Sequence, residues 1–184
     1  MRTIVPWKLL EERAGHGPMG FMKLLGRRYE LPNGHIVNWD IHTGATSIDV
    51  LALTPDNKVI LSRQFRPGPN QVLDELPGGF IDENEGLLEA AARELLEETG
   101  YKGELELVGS VWLSSISTIR SSVAIARNCV KAARQHEDNG EDIVVVLKDI
   151  EEFIAQVRRG DLTGTDRAYR ALDHAGLLRP TTSV

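Results

Sequence analysis

The chain reads as an α/β protein in which a mixed sheet is flanked by helices and preceded by an N-terminal antiparallel β hairpin. Three patterns predict this. Apolar and polar residues alternate over residues 19–43 on both sides of the turn signal Pro32-Asn33-Gly34. Short apolar runs bounded by Gly, Pro, Asn or Asp recur through the middle of the chain. Segments with helical spacing stand near 86–99, 150–159 and 166–175.

Taken in order, residues 19–43 form the first hairpin. Residues 48–53 and 59–63 form a second around Thr54-Pro55-Asp56-Asn57, and a loop then leads into an apolar segment over 73–80. The helix over about 86–99 has Asp82 or Asn84 as its candidate N-cap, Glu85 as negative charge near its positive end and Gly100 as its left-handed exit. Apolar segments near 105–113, 122–128 and 143–147 follow, and the last two helices close the chain. Residues 1–43 are expected to be a β lobe within one compact unit, and 44–184 its main domain.

Composition bounds the function. A chain of 184 residues with 41% apolar content can bury one substantial core. The net charge of −6 disfavours nucleic acid and anionic membranes, which select basic surfaces. A negatively charged substrate must then be met locally, by metal and arginine. Cys129 is the only cysteine, so no intrachain disulfide forms, and a buried inert thiol is expected. The longest aliphatic run, 143–147, is strand-sized rather than membrane-spanning. A cytoplasmic protein is expected.

The stretch 79–101 carries the chemistry. It places Gly79, then Glu85, then Arg93-Glu94-Leu95-Leu96-Glu97-Glu98-Thr99-Gly100-Tyr101. Glu94, Glu97 and Glu98 stand at i, i+3 and i+4 and so share one helix face. Leu88, Ala92, Leu95 and Leu96 fall on a separate arc that is expected to pack on a sheet. Like charges at this spacing weaken a helix by roughly 0.2–0.5 kcal/mol per pair, so three carboxylates ask for a cation. Oxygen ligands point to Mg²⁺ or Mn²⁺, which completes its shell with water and substrate phosphate oxygens. A calcium loop beginning at Asp82 fails, because Leu87 stands where its glycine belongs and Arg93 where its bidentate glutamate belongs. Arg66, whose planar fork matches phosphate oxygens, precedes the stiff Pro67-Gly68-Pro69 loop and is the candidate contact to substrate phosphate.

The 79–101 stretch fits the Nudix box at every specified position, and the chain resembles the Nudix hydrolases. Within them it resembles the ADP-ribose pyrophosphatase-like branch, through the N-terminal hairpin, Arg63-Gln64-Phe65-Arg66, and Glu75-Leu76-Pro77-Gly78-Gly79 ahead of the box. The resemblance covers most of residues 25–178 and implies an α/β/α sandwich. It implies metal-dependent hydrolysis of a nucleoside diphosphate sugar to a nucleoside monophosphate and a sugar phosphate. The alternative it leaves is a catalytically silent regulatory module that only binds such a ligand. It implies a Glu85–Arg93 ion pair, metal ligation by Glu94, Glu98 and the carbonyl of Gly78, and Glu97 as a third carboxylate. It further implies Glu75 at the substrate, Glu141 as general base from a loop, and a homodimer formed through the hairpin lobe. The branch carries a Ser-Pro-Gly-like loop where this chain has Leu-Ser-Ser-Ile-Ser-Thr at 113–118. Ser114, Ser115 and Arg120 are therefore expected to reshape the pocket, which leaves GDP-mannose and other nucleotide sugars open beside ADP-ribose. The few aromatics limit base stacking to residues such as Tyr29, Trp39 and Trp112.

Overall fold

The computed structural model describes residues 3–5, 8, 23–136 and 142–178. The first hairpin is β1 (Lys23–Glu30) and β2 (Ile36–Thr43), paired antiparallel as a separate two-stranded sheet. Its turn is the predicted one: Gly34 takes φ 81° and its N–H donates to the carbonyl of Leu31. The main sheet contains β3 (Ser47–Leu53), β4 (Lys58–Arg66), β5 (Gln71–Glu75), β6 (Gly78–Phe80), β7 (Tyr101–Trp112), β8 (Arg120–Lys131) and β9 (Val144–Asp149). The helices are α1 (Leu87–Thr99), α2 (Ile150–Arg159) and α3 (Thr165–His174).

The sheet is mixed because β3 runs parallel to β8 while its other pairings are antiparallel. Strands β3 and β4 pair only at Ala52 with Ile60 and Leu53 with Val59, beside their tight turn. Beyond that point they splay apart. The freed edge of β4 takes β5, and the freed edge of β3 takes β6. The apolar segment expected over 73–80 is thus two short strands. Pro77 interrupts it, since proline has no N–H for a ladder, and its carbonyl accepts from the N–H of Val50.

Alternation along β3 and β4 sends side chains into two cores. Leu51, Leu53, Val59 and Leu61 meet Phe153 of α2 and Leu172 of α3. Ile48, Val50, Ala52 and Ile60 meet Ala90, Ala91 and Leu95 of α1. The result is the three-layer arrangement the sequence predicts. Cys129 is buried in the α1 layer, and burial pushes its thiol up to about 11, which keeps it protonated and inert.

The α1 helix differs from its expected orientation. Leu95 faces the sheet as expected, but Leu88, Ala92 and Leu96 are exposed, and Ala90 and Ala91 face the sheet in their place. Small alanines let the helix axis come close, and the stripe Ala91, Leu95, Glu98 continues at helical spacing. Glu98 is consequently carried down with the packing side and is 4% exposed. The reactive and scaffold faces overlap at this residue. The N-cap is Gly86 rather than Asp82 or Asn84. Asn84 sits in the left-handed region, at φ 68°, inside a turn closed by the Glu85 N–H on the Asp82 carbonyl, so neither side chain reaches the helix start. Glu89 accepts from the Gly86 N–H in their place, at 2.9 Å. Gly100 ends the helix at φ 70° as expected, where a Cβ would lie 2.4 Å from the Ala133 carbonyl oxygen.

Strand β7 begins at Tyr101, directly after that exit, and its bulges near Gly103 and Gly109 mask the early alternation that would have placed its start in the sequence.

Candidate active site

The cavity opens where β3 and β4 part. Its volume is about 740 Å³, within the range that holds a nucleotide-sized ligand. One wall is α1 with the Gly78–Phe80 strand. The opposite wall comes from Thr163 and Arg167, before and on α3, and the loop Pro67-Gly68-Pro69 closes an edge.

On the α1 wall, Arg93 organises the acidic face. Its Nε and Nη2 donate to the two carboxylate oxygens of Glu85 at 2.8 and 2.9 Å, and Nη2 also donates to the Phe80 carbonyl at 2.9 Å. This is the ion pair that the resemblance implied. Arg93 holds the Glu85 carboxyl below the usual carboxylate range, and Glu85, Glu94 and Glu97 together keep Arg93 more firmly protonated than a free arginine. Its Nη1 donates to Glu94 at 2.9 Å and to Glu97 at 3.0 Å. Part of the cation demanded by three neighbouring carboxylates is therefore supplied from within the helix.

Glu98 is held differently. Its Oε2 accepts from the Ser62 hydroxyl at 2.8 Å and from the Gly78 N–H at 3.1 Å. Glu94 lies against the next residue, since a Cβ on Gly79 would stand 2.3 Å from its Oε1. A Cβ on Gly78 would stand 2.2 Å from the Ile48 carbonyl oxygen, so the backbone passes there only as glycine. The carboxylates of Glu94 and Glu98 thus meet the Gly78-Gly79 backbone from one side. Among the described residues, no three acidic, histidine or cysteine side chains surround a single point as a ready-made metal cluster.

Across the cavity, Arg66 donates through Nε to Glu75 Oε2. Glu75 is 2% exposed, and its Oε1 accepts from the Thr163 N–H at 2.8 Å and from the Thr163 hydroxyl. Both Glu75 oxygens are therefore engaged by the protein, and Glu75 fixes the position of Arg66. Arg167 Nε donates to Asp49 Oδ2 at 2.6 Å. Burial pushes the Asp49 carboxyl up, against the opposing pull of Arg167.

Of the residues singled out in the sequence, Arg66, Glu75, Gly78, Glu94, Glu97 and Glu98 all line this cavity. Glu141 lies outside the described residues. Ser114, Ser115 and Arg120 do not line it. The 113–118 loop instead docks on the hairpin, where the His42 N–H donates to the Ile116 carbonyl and the Thr118 N–H to the His42 carbonyl, at 2.8 and 2.9 Å. Ser115 lines a smaller cavity of about 280 Å³ with Tyr29 and Trp39, and Arg120 stacks 5.0 Å over Trp112. Ser47, Asp49, Gln64, His136, Thr163 and Arg167 line the main cavity without having been singled out as site residues. Asp49 and Arg167 are 118 positions apart, so only a compensating pair of buried charges on separate elements could have announced them.

Known proteins share the family and the fold of this chain. Residues 44–162 match the family model described as the NUDIX domain. The chain is 37% identical over 100 residues to an ADP-ribose pyrophosphatase of Saccharomyces cerevisiae, covering 47% of this chain and 42% of that one. It is 39% identical over 72 residues to an ADP-ribose pyrophosphatase of Bacillus subtilis, covering 39% of each. These matches span less than half the length of either relative. A crystal structure titled ADP compounds hydrolase superposes with a TM-score of 0.73 at 17% identity, over 97% of this chain and 100% of that chain, and so shares the fold.

Proposed function

Because the chain belongs to the Nudix family, we propose that it hydrolyses the diphosphate bond of a nucleoside diphosphate sugar, releasing a nucleoside monophosphate and a sugar phosphate. ADP-ribose-like compounds are the first substrate class and GDP-mannose-like compounds the second. One observation carries the reading: the Glu94 and Glu98 carboxylates stand together at Gly78-Gly79 in a cavity whose other side presents Arg66.

The donor set fits a hard divalent cation, since Mg²⁺ takes one or two carboxylates and fills its shell with water and phosphate oxygens. Glu94 and Glu98 with the Gly78 carbonyl would hold Mg²⁺ or Mn²⁺, with Glu97 as a further carboxylate. Bound there, the ion neutralises diphosphate charge and lowers the pKa of a water. Ser62 and the Gly78 N–H keep the Glu98 oxygen oriented, and Arg93 does the same for Glu94. Arg66 has five N–H donors, and Glu75 takes the one on Nε, so its terminal nitrogens serve phosphate oxygens. Water attacks one phosphorus, the bridging oxygen leaves with the other, and the water's proton passes to a carboxylate. Glu141 is the proposed base on the resemblance alone, with Glu97 and Glu98, which line the cavity, as the further proposed catalytic carboxylates. Positioning and charge neutralisation then suffice without a covalent nucleophile.

The hairpin supports a homodimer. Leu24, Leu25, Tyr29, Ile36 and Trp39 are all exposed on a two-stranded sheet that no helix of the described residues covers. Such a sheet is marginal in water without a partner. Among the described residues no helix is long and apolar enough to cross a membrane, and a cytoplasmic location is proposed with the hydrolase reading.

A Mg²⁺-dependent screen of ADP-ribose, GDP-mannose, other nucleotide sugars, dinucleoside polyphosphates and nucleoside triphosphates tests the proposal. Release of a nucleoside monophosphate from a nucleotide sugar is expected. A ligand that raises the melting temperature without being cleaved would replace the hydrolase by a binding module.

A further inference from the structure

Among the described residues, one buried side-chain polar atom has no hydrogen-bond partner: Nε2 of Gln64. The residue is 7% exposed and lines the main cavity. Buried amide donors are nearly always satisfied, because an unmet one sacrifices its hydration for nothing. The ion pairs around it are closed, with Arg66 on Glu75, Arg167 on Asp49 and Arg93 on its glutamates. Gln64 is the exception among the buried side-chain polar atoms of the described residues.

Its place along β4 says what the missing partner is. Ile60 packs toward α1 and Ser62 bonds Glu98 of α1, so the two-residue period of a strand puts Gln64 and Arg66 on that same side. Successive same-face residues are about 7 Å apart. Gln64 therefore stands between the carboxylate that Ser62 orients and the arginine that Glu75 orients. A diphosphate reaching from Glu98 to Arg66 passes over it.

We propose that Gln64 is a substrate-binding residue whose side-chain amide donates a hydrogen bond to a non-bridging oxygen of the diphosphate. This rests on the reading of the cavity as a diphosphate-hydrolysing site. The terminal torsion of glutamine is soft and roughly two-fold, so the amide can turn its N–H groups to the ligand at little cost. A neutral donor suits the position. It adds a hydrogen bond to phosphate without a further cation competing for Glu94 and Glu98, and a carboxylate there would repel the substrate.

The test compares the 184-residue chain with Gln64→Met, which keeps length and loses the amide, and Gln64→Glu, which keeps shape and adds charge. Three quantities are measured: kcat and KM for ADP-ribose with Mg²⁺, the Kd of its methylene-bridged analogue, and the melting temperature without ligand. Gln64→Met is expected to melt at or above the wild-type temperature while KM and Kd rise roughly ten- to a hundred-fold, the worth of one hydrogen bond to a charged oxygen. Gln64→Glu is expected to bind more weakly than Gln64→Met. Unchanged KM and Kd in Gln64→Met overturn the inference, as does a lower melting temperature with wild-type affinity, which makes the amide a structural group. Better binding by Gln64→Glu than by Gln64→Met also overturns it, because an acceptor would then be reading a sugar hydroxyl. If wild type binds the analogue but releases no nucleoside monophosphate, the hydrolase reading fails while the Kd comparison still decides the role of Gln64. If wild type binds neither compound, both fall.

Discussion

The N-terminal hairpin alternates apolar and polar residues, whereas β3 and β8 carry continuous apolar runs, and the two regions meet opposite surroundings. In β3 and β8, Val50, Leu51, Ala52, Val123, Ala124, Ile125 and Ala126 have no exposure, with helices on both faces. In the hairpin every residue of β1 is exposed, and Ile41 alone is buried in β2. A continuous apolar run announces a strand covered on both faces, while alternation announces a strand without saying what covers its apolar face. Where two helical layers enclose the strand, the pattern is fully used within one chain. Where they do not, as at Leu25 and Trp39, apolar surface is left over, and the account assigns that surface to a second copy of the chain.

Substitutions sharpen this contrast, beginning with the largest effect. Leu51→Ala should destabilise the protein by about 2–5 kcal/mol in urea unfolding, the cost of a cavity in an enclosed core. Leu25→Ala should cost the chain itself less than about 0.5 kcal/mol, since the side chain is already exposed. Similar losses at both positions would break the comparison. Arg93→Ala removes the link between α1, Glu85 and the Phe80 carbonyl and should lower stability by about 1–3 kcal/mol by the same measurement. Leu25→Asp combined with Trp39→Ser should move the molecular mass in solution from dimer to monomer and leave the core melting transition nearly in place. A monomeric wild type would remove the partner from the account.

The smallest expected effect concerns pH. Burial alone would raise the Asp74 carboxyl, but hydrogen bonds from Arg63 and Lys148 outweigh it and hold the group below the ordinary aspartate value near 3.8. A carboxyl lowered in the folded state contributes stability that is complete above the unfolded value and is lost as pH falls through the folded one. Asp74→Asn should therefore lower stability at pH 7, where that contribution is complete, and flatten the acid limb of the stability profile below about pH 4, so that the two proteins converge at low pH. Equal acid sensitivity in the variant would show that this pair is not responsible.

Much of the site is legible in the sequence because it is local. Glu85, Arg93, Glu94, Glu97 and Glu98 fall within one helix and the loop before it, where spacing alone sets who faces whom. The rotation of α1 is not legible, because Leu88 and Leu96 outweigh Ala90 and Ala91 on any hydrophobic count while close packing prefers the alanines. The burial of Glu98 follows from that rotation and was hidden with it. The second wall is assembled by the chain's return, with Thr163 on Glu75 and Arg167 on Asp49, and no local pattern links such distant positions. The 113–118 loop shows the converse. Its missing proline and glycine suggest a changed pocket, yet its hydrogen bonds go to His42 of the hairpin.

The most direct test of the central claim is the rate of AMP release from ADP-ribose across a Mg²⁺ titration, for wild type and Glu98→Gln together. The amide keeps an acceptor for Ser62 and Gly78, so the fold should persist. The account predicts Mg²⁺-dependent release by wild type and a loss of roughly a hundred- to a thousand-fold or more in the variant, the scale of removing one charge-stabilising group. Cleavage by Glu98→Gln at the wild-type rate and Mg²⁺ dependence would contradict it.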